Sequence, residues 1–139
     1  MEDEKKCSPG SRAFPFLVGS LFAFVGVCLG AFGAHALKAK LVAAGTLAAW
    51  ETAVEYQFWH ALALIALAFR PVGWESKGID WAVRLFIVGV VLFSGSIYLL
   101  ALKVAPWLGP VTPIGGICLL IAWGILVVFA GKRLKQPAG

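Results

Sequence analysis

From Ala13 to Leu37 the chain runs for 25 residues without a Lys, Arg, Asp or Glu. A helix rises about 1.5 Å per residue and a bilayer's hydrocarbon core is about 30 Å thick, so about 20 apolar residues cross it. This run is long enough, and it is the first of four. The expected spans are about 14–37, 47–69, 84–104 and 112–131. The second is free of charge only from Tyr56 to Phe69, and it reaches spanning length only when counted from Leu47, with Glu51 and Glu55 near its outer end. Composition closes the alternative of an aqueous globule. Hydrophobic residues make up 60% of the 139, charged residues 14%, and the mean hydropathy is +0.88, whereas soluble domains carry about 25% charged residues.

In lipid every backbone N–H and C=O must be paired within its own segment, and a barrel needs alternating strands that this pattern lacks. The expected fold is therefore all-α: a polytopic membrane protein built as a four-transmembrane-helix bundle. A hydrophilic arm at 1–12, expected to be disordered, precedes it, and a short tail at 132–139 follows; there is no internal repeat. Arg70-Pro71 stops the second helix, because proline disfavours α geometry in the residue before it. Gly109-Pro110 breaks the third connection, and Thr112 is the expected N-cap of the last helix, with Pro113 first inside it.

Lys and Arg counts set the orientation. Lys5, Lys6, Arg12, Arg70, Lys77, Arg84, Lys132, Arg133 and Lys135 fall on one side; Lys38, Lys40 and Lys103 fall on the other. The positive-inside bias puts both termini in the cytoplasm, and an even number of spans requires them on one side. The first run could also be read as a cleaved signal peptide ending at Ala34-His35-Ala36. Its length exceeds the usual apolar region of about 7–15 residues, so a retained helix is expected. The +5 net charge does not indicate nucleic acid, since the basic residues lie between apolar runs. The chain has no Asn and hence no N-glycosylation site. Cys7, Cys28 and Cys118 form no paired spacing, so neither a disulfide framework nor a zinc site is expected.

Few residues suggest chemistry. Gly19, Ala23, Gly26, Gly30 and Gly33 share a narrow face of the first helix. Small residues at that spacing let two helix backbones approach closely, within the bundle or between two copies of the chain. In the second helix Glu51, Glu55, Tyr56 and His60 lie on the outer half. Ionisable groups in a membrane tend to face the bundle interior or water, which makes His60 either a hydrogen-bonded core histidine or part of a polar path. The core reading bonds it to Tyr56, four residues back, or to the third helix. Ion pairing with Lys38, Lys40 and Lys103, or snorkelling, accounts for Glu51 and Glu55. His35 lies too near the surface to share a metal with His60. Ser94, Ser96 and Tyr98 stand mid-span in the third helix, where serines bond back to the preceding turn or join helices. Thr112, Gly115 and Gly116 form an external helix start with free N–H groups. Trp50, Trp74, Trp81 and Trp107 fit interfacial aromatic belts.

Four blocks of residues then fall into a familiar order. They are Gly30-Ala31-Phe32-Gly33-Ala34-His35-Ala36-Leu37; Trp50 to Tyr56 with His60-Ala61-Leu62-Ala63-Leu64; Phe93-Ser94-Gly95-Ser96-Ile97-Tyr98; and Gly109-Pro110-Val111-Thr112-Pro113-Ile114-Gly115-Gly116. Over about Leu17 to Gly131 the chain resembles the small membrane proteins of domain-of-unknown-function family 423, similar in turn to a small eukaryotic transmembrane protein. The hydrophilic arm is longer than that resemblance leads one to expect. It implies a four-helix protein of the bacterial inner membrane and supplies no reaction, substrate or cofactor. His35, Tyr56, His60, Thr112 and Gly115 inherit interest from it, not roles.

Two functions compete. The first is a structural or partner-binding membrane protein, favoured by few polar groups and by the absence of a nucleophile–base pair; it is not an enzyme, and no cofactor or metal is expected. The second is a small homo-oligomeric transporter or channel with a polar path near Glu55 and His60. In size and span number the chain resembles small multidrug exporters, but those carry a buried Glu in the first helix, and this one has no acid there. The partners expected are the lipid bilayer and a second copy of the chain, with no nucleic acid.

Overall fold

The structure, a computed structural model, describes residues 10–135, and all its regular elements are helical. Most of the arm at 1–12, with Lys5, Lys6 and Cys7, and the last four residues of the tail lie outside the described residues. Five α-helices follow one another: α1 (Gly10–Ala34), α2 (Lys38–Ala44), α3 (Leu47–Ala68), α4 (Lys77–Ala101) and α5 (Val111–Leu134), with a 3-10 turn at Pro106–Leu108. Three segments are long and apolar enough to cross a membrane: Arg12–Ala34, Lys77–Ala101 and Pro106–Leu134. At 22 residues α3 has the length, but Glu51, Glu55, Gln57 and His60 keep it below the apolarity of the others.

Several boundaries differ from expectation. α1 stops at Ala34, three residues early, and the chain turns through His35 to Leu37 into α2, a helix where only a connection was expected. Leu41 of α2 is fully buried, packed in one cluster with Trp50, Ala53, Tyr98 and Ala101, and that burial turns the connection into a cap. Gly45 ends α2 in the left-handed region at φ 68°. Its N–H reaches the Val42 carbonyl, and that of Thr46 reaches Leu41, which is the Schellman pattern. α4 begins at Lys77, seven residues before the expected start at 84. The charge of Arg84 interrupts the apolar run but does not interrupt the helix. The Ser76 hydroxyl caps the Ile79 N–H at 3.2 Å, and Asp80 sits in the first turn, where the helix dipole favours an anion. Arg84 lies over the Trp81 ring at 5.5 Å.

α4 ends at Ala101, not 104, through a second Schellman closure in which Val104 donates to Leu99 and Lys103 to Leu100. Here the left-handed position is Lys103, at φ 57°. Thr112 is not an N-cap. Pro110 precedes the first helical residue, so Thr112 and Pro113 lie inside α5. The connection after α3 falls where Arg70-Pro71 put it.

The packing pairs are α1 with α3, α3 with α4, and α4 with α5. Glycines set two of these contacts. A Cβ added at Gly19 would stand 2.8 Å from the Ala61 carbonyl oxygen, and Gly26, Gly30 and Gly33 face Phe58, Val54 and Trp50. Gly115 lies against the α4 backbone, where a Cβ would come within 2.8 Å of the Phe93 Cα; Gly89 meets Leu119 from the other side. The core falls into two apolar clusters. One gathers Leu64, Ala82, Val83, Phe86, Val90, Leu119 and Ala122, and the other lies at the α2 end.

Candidate functional site

Between the two clusters lies a layer of buried polar side chains. On α3 they are Gln57 and His60; on α4 they are Ser94, Ser96 and Tyr98. Buried polar groups must find partners, because an amide or hydroxyl left bare in apolar surroundings is strongly disfavoured. Gln57 finds two. Its Nε2 donates to the Phe22 carbonyl of α1 at 2.8 Å, and its Oε1 accepts from the Tyr98 hydroxyl of α4 at 2.9 Å. One side chain thus holds three helices. The Tyr98 ring also packs on Trp50, with centroids 4.8 Å apart.

His60 is bonded on both nitrogens. Nδ1 lies 2.7 Å from the Tyr56 carbonyl, and the Trp123 indole of α5 donates to Nε2 at 3.2 Å. The uncharged ring with its proton on Nδ1 satisfies both bonds; an imidazolium has no acceptor for the indole. The ring stands 5.4 Å from Phe86 and 6.1 Å from Tyr56. Its bonding partners are therefore Tyr56, as the core reading expected, through the backbone carbonyl, and the last helix in place of the third. The Ser96 hydroxyl donates to Phe93 O at 3.0 Å and lies 2.6 Å from the Thr112 hydroxyl, joining α4 to α5. Ser94 Oγ differs. It is 1% exposed and has no hydrogen-bond partner among the described residues, contrary to the expected bond to the preceding turn.

The remaining candidates do not join this layer. Glu51 and Glu55 are exposed beside an open groove of about 330 Å³ formed with Gly30, Gly33, Ala34, Trp50 and Val54. Among the described residues neither carboxylate pairs with Lys38, Lys40 or Lys103, so ion pairing does not account for them. Glu55 and His60 are five positions apart, about 140° around the helix, one exposed and one buried. His35 is exposed in the turn after α1. Thr112, Gly115 and Gly116 do lie in the opening turns of α5, but Gly115 is buried against α4 and not exposed on an external face. Trp50 is buried, with its indole bonded to Leu29 O at 3.0 Å, so it is no belt residue. No group of three His, Cys, Asp or Glu among the described residues has the arrangement of a metal site. Cys28 and Cys118 are half-buried and, among the described residues, unpaired.

The sequence-based expectations missed two residues that carry the layer. Gln57 belongs to the polar outer half of the second helix but is not among the candidate residues above, and Trp123 lies unremarked in the last apolar run. The signal was present in spacing, since Trp50, Ala53, Gln57, His60 and Leu64 form one buried stripe at helical period.

The family profile described as protein of unknown function (DUF423) matches residues 29–116, more than half of the chain. This chain belongs to the DUF423 family. Curated relatives extend the likeness beyond that profile. A UPF0382 membrane protein of Staphylococcus saprophyticus is 42% identical over 112 residues, covering 81% of this chain and 92% of the relative. The UPF0382 membrane protein YwdK of Bacillus subtilis is 40% identical, covering 85% and 96%. The UPF0382 inner membrane protein YgdD of Escherichia coli is 38% identical, covering 88% and 92%. No solved structure matches. The DUF423 profile takes in Gln57, His60, Ser94, Ser96, Tyr98 and Thr112, while Phe22 and Trp123, which complete their hydrogen bonds, lie outside it. The DUF423 chain is thus a helical membrane protein whose buried polar groups hold its helices together.

Proposed function

We propose that this chain is a four-span protein of the bacterial inner membrane with both termini in the cytoplasm, acting as a structural or partner-binding component without catalysis of its own. On this reading α3 is the fourth span. Its 22 residues extend about 33 Å, Glu51 and Glu55 stand toward its outer end, and Gln57 and His60 are hydrogen-bonded inside. The use made of the buried polar groups carries the proposal. Gln57, His60 and Ser96 bond helix to helix, whereas a transport path or an active site leaves such groups facing water or substrate. Two ties at the other end favour termini on one side. Arg12 bonds Glu75 at 2.9 Å, and Arg133 bonds the Gly73 carbonyl, so the start of α1 and the end of α5 both meet the α3–α4 connection. The glycine face of α1 is occupied by α3, so a homo-oligomer would have to use another face.

The competing transporter places Glu55 and His60 on one polar path. Reconstitution of wild type, Glu55→Gln and His60→Ala in proteoliposomes separates the two. The structural account expects His60→Ala to lower thermal stability and Glu55→Gln to leave it unchanged, with no flux lost in either. Substrate movement abolished by both variants at unchanged stability would establish the transporter instead. Reporter fusions at both ends check the orientation, and opposite-side signals would refute it.

A further inference from the structure

Between the start of α4 and the second half of α5 runs a trench of about 650 Å³, lined by Ser76, Gly78, Ile121, Gly124, Ile125, Val128, Phe129 and Lys132. Two glycines keep it open, and a Cβ at Gly124 would meet nothing within 4 Å. From Ile121 to Lys132 is eleven helical steps, about 16 Å, which is half of a hydrocarbon core of about 30 Å. The trench therefore has the depth of one leaflet. Its floor and walls are apolar, and its mouth is cationic. Lys132 stands at the rim, and Lys77 adjoins the lining residues Ser76 and Gly78. Arg133 lies over the Phe129 ring at 5.3 Å, and Trp74 meets that ring edge-on at 5.6 Å. Among the described residues no acidic side chain lines the trench; Glu75, next to Ser76 in the chain, pairs with Arg12, and Asp80 lines a different groove, with Phe14, Pro15 and Arg84.

We propose that this trench binds one anionic phospholipid, with its phosphate at Lys132 and Lys77 and one acyl chain lying along Ile121, Gly124, Ile125 and Val128. The charge at the mouth selects an anion, and the one-leaflet depth selects a membrane lipid. The inference rests on α4 and α5 being embedded in the bilayer, as the proposed function has them, but not on which side the termini face.

The test uses the full chain in phosphatidylcholine nanodiscs doped with phosphatidylglycerol, and reads retained lipid by native mass spectrometry after partial delipidation. Both nanodisc faces are alike, so an error in orientation cannot produce a negative result. Wild type should retain phosphatidylglycerol over phosphatidylcholine. Lys132→Gln and Lys77→Gln should each reduce that preference about fivefold, the effect of one surface charge. Lys40→Gln, at the other end of the molecule, should change nothing. Gly124→Leu should fill the trench and lower retention of both lipids while the melting temperature holds. An unchanged preference in Lys132→Gln, or unchanged retention in Gly124→Leu, overturns the proposal. Disulfide cross-linking of two copies through Gly124→Cys, insensitive to added phosphatidylglycerol, would also overturn it by placing a second chain there.

Discussion

Gln57 is the side chain that bonds to two other helices at once. Replacing it with Leu leaves the Tyr98 hydroxyl without its acceptor, and hydrogen bonds between membrane helices contribute about 0.6–2 kcal/mol each. Gln57→Leu should therefore lower unfolding free energy by about 1–3 kcal/mol, measured by steric trapping in bicelles. Adding Tyr98→Phe should recover part of that loss, because both partners are then apolar. Ser94 should behave in the opposite way. Its hydroxyl is buried without a partner among the described residues, so Ser94→Ala should be neutral or stabilising by up to about 1 kcal/mol in the same assay. Gly115 has no room for even a methyl group: Gly115→Ala forces α4 and α5 apart and should destabilise by about 1–3 kcal/mol, whereas Gly124→Ala meets only open space and should not.

At the scale of elements, matched closures end α2 and α4. Both use the same pair of reversed hydrogen bonds, but one has Gly45 at the left-handed position and the other Lys103. A side chain there is disfavoured by about 1 kcal/mol. Lys103→Gly should thus raise the thermal midpoint in detergent, and Gly45→Ala should lower it by a comparable amount. The boundaries of α4 show why apolar runs misplace helix ends. Ser76 and Asp80 are what an interfacial first turn requires, and Arg84 lies over Trp81 about two turns in, yet to a hydropathy count they mark the end of a segment. α2 escaped notice for a related reason. Seven residues with two lysines carry no spanning signal, and only the burial of Leu41 against Trp50 and Tyr98 gives them a place.

The whole molecule joins α1 to α3, α3 to α4 and α4 to α5, with both ends tied to one connection. Arg12, Arg70 and Arg133 all bond near that connection, Arg70 to the Leu67 carbonyl at 3.0 Å. These arginines, orientation signals in the sequence, also fasten the α3–α4 link. The Arg12–Glu75 pair is partly exposed, so Glu75→Gln should change stability by less than about 1 kcal/mol. A loss well above that, read by thermal melting, would mean the link is far more tightly coupled to the bundle.

The membrane setting and the helical class followed from the sequence alone, because hydrocarbon leaves an apolar chain no other way to pair its backbone. The glycine face of α1 was legible for the same reason, since close approach in lipid requires small residues at helical spacing. The partners were not legible. A sequence shows that Gln57, His60, Ser96 and Thr112 are polar, but which carbonyl or indole each one reaches depends on how the helices are rotated against one another. That rotation is a property of packing between distant segments. Only the tertiary structure turned Glu55 outward and His60 inward, and brought Trp123 to the imidazole across sixty-three positions of chain.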